Sequence, residues 1–207
     1  MLDLAGGSIT LTETKYVQNG QETPYSGAYR IKQSGGQTTN TITVQSGDIA
    51  MTLENVNMAE GAGKMPPIAV ESGAHLTLTL AGENTLTTAS HGMSAADAIR
   101  VPEGARLTVK GEGKLTAETK GGACIGVSTG KSGTIRIEGG VIEATNRDGA
   151  AIGGGYSAVA GPIYICSGQV TAHGYGNTAA IGGGGLNKAG AELIEISGGT
   201  VYAQAHG

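Results

Sequence analysis

The sequence predicts an all-β fold, a right-handed parallel β-helix of about seven coils with three short strands in each coil. Three observations lead to this prediction. A glycine-rich motif, DGAAIGGGY at residues 148–156, recurs as NTAAIGGGG at residues 177–185. Apolar positions return in three columns at steps of 26 to 31 residues. Around them apolar and polar residues alternate, which is typical of strands with one buried face.

Each column corresponds to one strand of the predicted coil. The first column contains Ile99, Ile125, Ile152 and Ile181. The second contains Val109, Ile137, Ile165 and Ile196. The third contains Leu86, Leu115, Ile142, Val170 and Val201. Like residues are therefore expected to stack at about 4.8 Å per coil. The coil is expected to be right-handed, because crossover connections between parallel strands nearly always are.

Composition agrees with a narrow coil. The 207 residues include 38 glycines, which recur in register at the predicted corners, and no Phe or Trp. The interior must then be filled by Ile, Val, Leu and Ala. A leucine-rich-repeat horseshoe is the alternative architecture, but the Leu-rich consensus with Asn at a fixed offset is missing from the sequence.

The continuous repeat predicts a single structural domain. Residues 1–60 are the least regular and are expected to form irregular N-terminal coils that cap the rod, and residues 61–207 the regular repeats. The sequence ends at residues 204–207, in the middle of a repeat. We therefore expect the C-terminus to be truncated and the natural chain to carry further domains.

Charge and hydropathy exclude several function classes. The formal net charge of -4 leaves no basic stripe for phosphates, so nucleic acid is not an expected partner. No apolar run has the length of a membrane span, so membrane insertion is not expected. Residues 1–4 have neither the basic nor the apolar part of a signal peptide, which fits a piece of a longer secreted chain. The two cysteines, Cys124 and Cys166, fall more than one coil apart and are predicted to be free thiols.

The repeats resemble the glycine-rich β-helix modules of large surface proteins from gut and soil Gram-positive bacteria, commonly labelled carbohydrate-binding. Four segments carry the resemblance: LAGENTL at 80–86, VPEGARLTV at 101–109, GAAIGGG at 149–155 and ISGGTV at 196–201. The resemblance implies an extracellular or cell-surface location and a glycan or polysaccharide partner. It assigns no contact residues, because these glycines and isoleucines build the coil.

Sugar binding requires an aromatic surface for the ring C–H groups and polar groups for the hydroxyls. The predicted ligand-binding residues are outward or corner tyrosines and charged neighbours in the same ladders: Tyr164, Tyr202, Tyr175, Tyr156, Arg136 and Glu143. Tyr164 is expected to point outward from the second strand, beside Arg136. Tyr202 is expected to point outward from the third strand, in a ladder with Glu143, and Tyr156 and Tyr175 to lie in corner loops.

An enzyme is the first alternative that the sequence disfavours. Polysaccharide lyases and glycoside hydrolases need clustered carboxylates, but the four Asp fall in different coils or columns. The group that comes closest to such a cluster is Asp148 with Arg147 and Glu143. It is interpreted as a set of solvent-exposed charges at a corner of the coil. No catalytic residue is expected.

A metal site is the second disfavoured alternative. His91, His173 and His206 share a predicted corner, yet Lys120 and Asp148 interrupt the ladder, so no metal site is expected. No cofactor is predicted, and a calcium requirement is left open. The sequence thus predicts a non-catalytic carbohydrate-binding module, with a surface spacer and a polysaccharide-degrading enzyme as alternatives.

Overall fold

The computed structural model describes residues 1–92, 94–176, 178–185 and 190–207. In chain order the strands are β1 Leu2–Asp3, β2 Ile9–Leu11, β3 Lys15–Gln18, β4 Gln21–Pro24, β5 Tyr29–Lys32, β6 Ile42–Val44, β7 Asp48–Glu54, β8 Asn57–Ala59, β9 Ile68–Val70, β10 His75–Ala81, β11 Glu83–Thr87, β12 Ile99–Arg100, β13 Arg106–Gly111, β14 Lys114–Thr119, β15 Ile125–Lys131, β16 Thr134–Asn146, β17 Ile152–Val159, β18 Ile163–Tyr175, β19 Ile181–Gly182, β20 Ile194–Ile196 and β21 Thr200–His206. A short 3₁₀ turn spans Leu4–Gly6.

These strands wind into a parallel β-solenoid of about seven turns with three faces. The first face contains β2, β6, β9, β12, β15, β17 and β19. The second contains β1, β5, β7, β10, β13, the N-terminal halves of β16 and β18, and β20. The third contains β8, β11, β14, the C-terminal halves of β16 and β18, and β21. The predicted fold class is therefore confirmed.

Alternation along each strand fills the lumen. In β10 the side chains of Leu76, Leu78 and Leu80 are buried, and the threonines between them are partly exposed. The predicted first column is confirmed, because Ile125 pairs with Ile99 on one side and with Ile152 on the other. The second column is confirmed in the same way across β13, β16, β18 and β20. The core is a continuous stack of aliphatic side chains along the rod.

The third column is wrong at its first member. Leu115 pairs with Asn84, and Leu86 pairs with Ala117. Asn84 is thus an inward position and is 1% exposed. Its Oδ1 accepts the backbone N–H of Val56 at 3.2 Å, and its Nδ2 donates to two carbonyl oxygens at 3.1 Å each. A slip of two residues keeps every side chain on the same face, so alternation alone could not detect it.

The corner between the second and third faces lies inside β16 and β18, each 13 residues long. The pairing of these strands shifts register around Glu138, where Gly140 has φ of +83°. A Cβ on the stacked Gly168 would approach the Gly140 carbonyl oxygen to 2.7 Å. Glycine is required at this corner by close backbone approach as well as by backbone conformation.

At the N-terminal end, β3 and β4 form an antiparallel hairpin that pairs with β2. Tyr16, Tyr25 and Tyr29 pack together there, and Tyr29 is buried. The parallel register already begins at β2 and β6. The described residues contain no helix with the length and hydropathy that crossing a membrane would need.

Candidate functional site

The last two coils present an array of outward side chains on the third face. In β18 and β21, three outward positions pair directly: Thr171 with Tyr202, His173 with Gln204, and Tyr175 with His206. We call four of these residues the aromatic patch: His173, Tyr175, Tyr202 and His206. They lie on the outward side of the two paired strands. In β18 they alternate with Val170 and Ala172, which are buried in the core. The array is therefore held by the sheet rather than by a loop.

Ring contacts order the aromatic patch. The rings of Tyr175 and His206 are stacked with centroids 4.1 Å apart and planes inclined by 6°. His173 contacts the Tyr202 ring at 5.7 Å in an edge-on arrangement, and its Nδ1 lies 3.2 Å from Nε2 of His206. The Tyr202 hydroxyl donates to Oε1 of Gln204 at 2.7 Å. Tyr202 is 53% exposed and Tyr175 39%, so aromatic surface remains open to a ligand.

Tyr164 and Arg136 form a separate pair on the second face. They are adjacent in the ladder, as predicted, and the Arg136 guanidinium carbon lies 5.7 Å from the Tyr164 ring centroid. Arg136 Nε also donates to Glu138, and this hydrogen bond raises the pKa of the guanidinium above its ordinary value. The Arg136 guanidinium therefore covers part of the Tyr164 ring, and its positive charge is paired with the Glu138 carboxylate.

The other two predicted residues, Glu143 and Tyr156, belong to neither group. Glu143 is on the third face in one ladder with Thr171 and Tyr202, as predicted, and its carboxylate forms an ion pair with Lys114 at 2.8 Å. Tyr156 was expected in a corner loop, and this was wrong: it lies inside β17, where the pairing with β15 shifts register. Tyr175 was also expected in a loop, but β18 continues through it. Both strands extend further than the glycine-marked corners suggested.

The predicted histidine corner also needs correction. His206 pairs with Tyr175, and His173 pairs with Gln204, so the two histidines are offset by two residues in the ladder. Their side chains nevertheless meet diagonally, as described above. His91 lies elsewhere, with Nδ1 3.6 Å from Oδ2 of Asp148. Among the described residues no group of three or more His, Cys, Asp or Glu is arranged to hold a metal ion.

Sequence reasoning missed a cleft at the corner between the third and first faces. Its volume is about 630 Å³. We call it the corner cleft, and its lining residues come from four successive coils: Ala59, Glu60, Gly61, Gly63, Lys64, Thr87, Thr88, Ala89, Ser90, Glu118, Thr119, Lys120 and Arg147. Three coil spacings of about 4.8 Å make it roughly 14 Å long, parallel to the rod axis. The structure pairs Thr119 with Asn146, so Lys120 and Arg147 occupy equivalent places one residue further along. The expected alignment of Lys120 with Asp148 is therefore wrong by one residue.

The buried carboxyl of Asp97 lies in the wall of a neighbouring, smaller pocket. Burial raises its pKa to about 8, although the backbone N–H groups of Ala123 and Ser128 and the charge of Arg100 act in the opposite direction. The Ala123 N–H donates to Oδ1 at 2.8 Å. Because the side chain is 3% exposed, this group fixes the fold between coils rather than facing a ligand.

Comparison with known proteins supports the architecture. A family model described as Beta helix repeat matches residues 135–156, 163–185 and 194–207. These segments contain all of β16 except Thr134, and all of β18 and β21, the two strands that carry the aromatic patch. No curated protein and no solved structure matches the chain. The family match concerns the repeat and names no ligand.

Proposed function

We propose that the protein is a non-catalytic carbohydrate-binding module of an extracellular, cell-surface bacterial protein. The single observation that carries this proposal is the aromatic patch, in which exposed tyrosine rings stand beside imidazole and amide groups on a rigid sheet. Aromatic faces pack against the C–H groups of sugar rings, and neighbouring polar groups bind hydroxyls. The Tyr202 hydroxyl, the Gln204 amide and the His173 imidazole are all within this one surface.

The geometry of the rod favours a polymer over a small sugar. The patch lies on the outward side of paired strands with both tyrosines exposed, whereas sites for small ligands are concave and bury most of the ligand. A glycan chain that lies along the third face would contact the aromatic patch in the last two coils and polar outward side chains such as Thr116 and Glu143 in the coils before them. Weak contacts repeated along one chain add to a useful affinity.

The carboxylates near these surfaces support a non-catalytic role. Glu143 is paired with Lys114, Glu138 with Arg136, and Asp148 lies beside His91. Glycosidases of the common type place two carboxyl groups across one sugar bond, one of them acting as acid. The resemblance of the repeats to carbohydrate-binding surface modules agrees with the same proposal.

A glycan array tests the proposal, run with and without calcium, together with an assay for new reducing ends in the same wells. We expect binding to a subset of polysaccharides or mucin glycans and no release of reducing ends. Release of sugar ends would contradict the non-catalytic assignment. Absence of binding to every glycan would replace it with a spacer role.

A further inference from the structure

The corner cleft carries unused positive charge. Its lining includes three cations, Lys64, Lys120 and Arg147. The described residues form eight ion pairs with a nitrogen–oxygen distance of 4 Å or less, and none of these three cations takes part in one. Two carboxylates also line the cleft, those of Glu60 and Glu118. Oε2 of Glu60 accepts the backbone N–H groups of Ala89 and Ser90 at 2.8 and 2.9 Å. The cations of the lining outnumber its carboxylates by one, so on a protein of net charge -4 the cleft is a local excess of positive charge that attracts anions.

The backbone at the rim of the corner cleft is strained. Lys64 has φ of +65°, and among the described residues every other positive-φ position is Gly or Asn. A long side chain in the left-handed region costs about 1 kcal/mol or more. Such outliers cluster at ligand sites, where the surrounding structure holds them in place. The strain at Lys64 is thus an observation, independent of charge, that marks this corner.

The corner cleft borders the aromatic patch at Arg147. Asn146 pairs with Gly174 at the end of β16, so the next residues, Arg147 and Tyr175, lie in adjacent coils at the same step beyond the ladder. A Cβ on Gly176 would lie 3.1 Å from the Arg147 carbonyl oxygen, which places the two chain segments in contact. A ligand that covers the tyrosines of the patch therefore reaches the first cation of the cleft.

We propose that the third face binds acidic glycans, with sugar rings on the aromatic patch and their carboxylate or sulfate groups in the corner cleft. This proposal rests on the proposed glycan-binding function and adds the chemical class of the ligand. Lys64, Lys120 and Arg147 hold the anionic groups. They come from three of the four coils that line the cleft, so a polymer that runs parallel to the rod passes all three. Arg147 can donate two N–H groups to the oxygens of one carboxylate or sulfate, whereas each lysine acts as a point charge.

Matched pairs of polymers that differ only in charge test the proposal. The dissociation constants of alginate and its methyl ester, and of dextran sulfate and dextran, are measured by titration calorimetry at low and high salt. We expect the charged member of at least one pair to bind ten times or more tightly than its neutral partner, and the difference to shrink as salt screens the cleft. The carboxylate and sulfate arms show which anionic group is preferred.

Variants locate the effect. Lys120→Gln combined with Arg147→Gln should weaken binding of the charged polymer about tenfold, since each charge contributes modestly at a surface. Lys110→Gln is the control for a single charge: Lys110 is exposed at the end of β13 on the second face, outside the lining of the cleft. Lys110→Gln is compared with Lys120→Gln. Lys64→Gly should also weaken binding but should not lower Tm, because glycine removes the left-handed strain.

Each remaining outcome contradicts the proposal in a distinguishable way. Equal affinity for charged and neutral polymers would overturn the acidic-ligand assignment and leave glycan binding intact. An equal loss in Lys110→Gln and Lys120→Gln would show a general charge effect without a site. Binding of single-stranded DNA as tight as that of the acidic polymers would show an unspecific polyanion surface. If no polymer binds, the proposed function fails together with its ligand class.

Discussion

The phenol ring of Tyr175 lies flat on the imidazole of His206, with ring centroids 4.1 Å apart, although 31 positions separate the two residues in the chain. The stack forms because both residues occupy the same outward position in neighbouring coils. Tyr202, on the same surface, contacts His173 and remains more than half exposed. The central claim of our account is that this surface binds a glycan.

Replacement of Tyr202 and of Tyr164 should show which of the two tyrosine surfaces binds the glycan. We expect Tyr202→Ala to weaken binding of the best glycan about tenfold, because an exposed ring that stacks on a sugar contributes roughly 1 to 1.5 kcal/mol. Tyr164→Ala is the control, and its effect should be below twofold, since Arg136 already covers ring surface there. Affinity electrophoresis of the two variants checks this, and a larger loss in Tyr164→Ala would assign binding to the second face.

Stability should depend on pH through Asp97. Its pKa is about 8 in the folded chain and 3.8 in the reference state, so the unfolded chain releases this proton at lower pH than the folded chain does. The contribution of Asp97 is therefore fully present below pH 4 and is lost as the pH rises toward 8, by about 1.4 kcal/mol per pH unit. Urea unfolding between pH 4 and 9 measures this fall.

The variant Asp97→Asn isolates that contribution. The amide keeps an oxygen that can accept the Ala123 N–H but does not titrate, so the variant should be more stable than the wild type at pH 8. The difference should disappear near pH 4. Parallel pH profiles for the two proteins would contradict the assignment of this titration to Asp97.

The two thiols should differ in reactivity. Cys124 is fully buried, its Sγ lies 3.2 and 3.3 Å from two carbonyl oxygens, and burial raises the pKa of the thiol to about 12. Cys166 is partly exposed. Because the thiolate is the reactive form, a disulfide reagent should modify Cys166 in the folded protein and Cys124 only after unfolding. Rapid modification of both thiols in native buffer would contradict this arrangement.

Asn84 should stabilise the fold from inside the lumen. In Asn84→Leu the Val56 N–H loses its buried acceptor and two carbonyl oxygens lose a donor, which should lower the free energy of unfolding by about 2 to 4 kcal/mol despite the added apolar surface. Asn57→Leu, at an exposed position of β8, should change it by less than about 0.5 kcal/mol. Chemical denaturation of both variants gives the comparison, and equal effects would refute the role of Asn84.

Close backbone approach should make some glycines irreplaceable. A Cβ on Gly113 would lie 2.6 Å from the backbone nitrogen of Ala81 in the neighbouring coil, whereas a Cβ on Gly36 would meet nothing within 4 Å. We expect Gly113→Ala to destabilise the protein by about 3 kcal/mol or more, because backbone atoms of the stacked coil would have to move. Gly36→Ala should be neutral. A Tm for Gly113→Ala equal to that of the wild type would disprove this packing.

The sequence was sufficient to predict the fold because the isoleucine column is regular. Ile99, Ile125 and Ile152 stack as predicted, and a one-residue slip would have turned them toward solvent. A two-residue slip carries no such penalty, which is why Leu86 was paired wrongly and the inward role of Asn84 was not found. A polar residue in a strand is predicted to point outward, because the sequence does not show the hydrogen bonds that a polar side chain can make inside the coil.

The candidate site was predictable only in part. Tyr175 and Tyr202 were both identified, but their place in one array depends on strands that continue past the expected corners to Tyr175 and His206. The corner cleft combines residues from four coils, and Lys64 comes from a coil assigned to the start of the regular repeats. Cavity shape and the lack of ion pairs are properties of the assembled corner, and no local pattern in the sequence contains them.

The four histidines make the most direct test of the central claim, since two of them lie in the aromatic patch and two lie outside it. His173 and His206 are in the aromatic patch, His91 is at the corner beside Asp148, and His75 is on the second face, bonded to Asp48. Their imidazole signals are followed by NMR at constant pH while the tightest-binding glycan is added. Our account predicts that the His173 and His206 signals shift with saturation and the His75 signal does not. Saturable binding that leaves both patch histidines unchanged would contradict it.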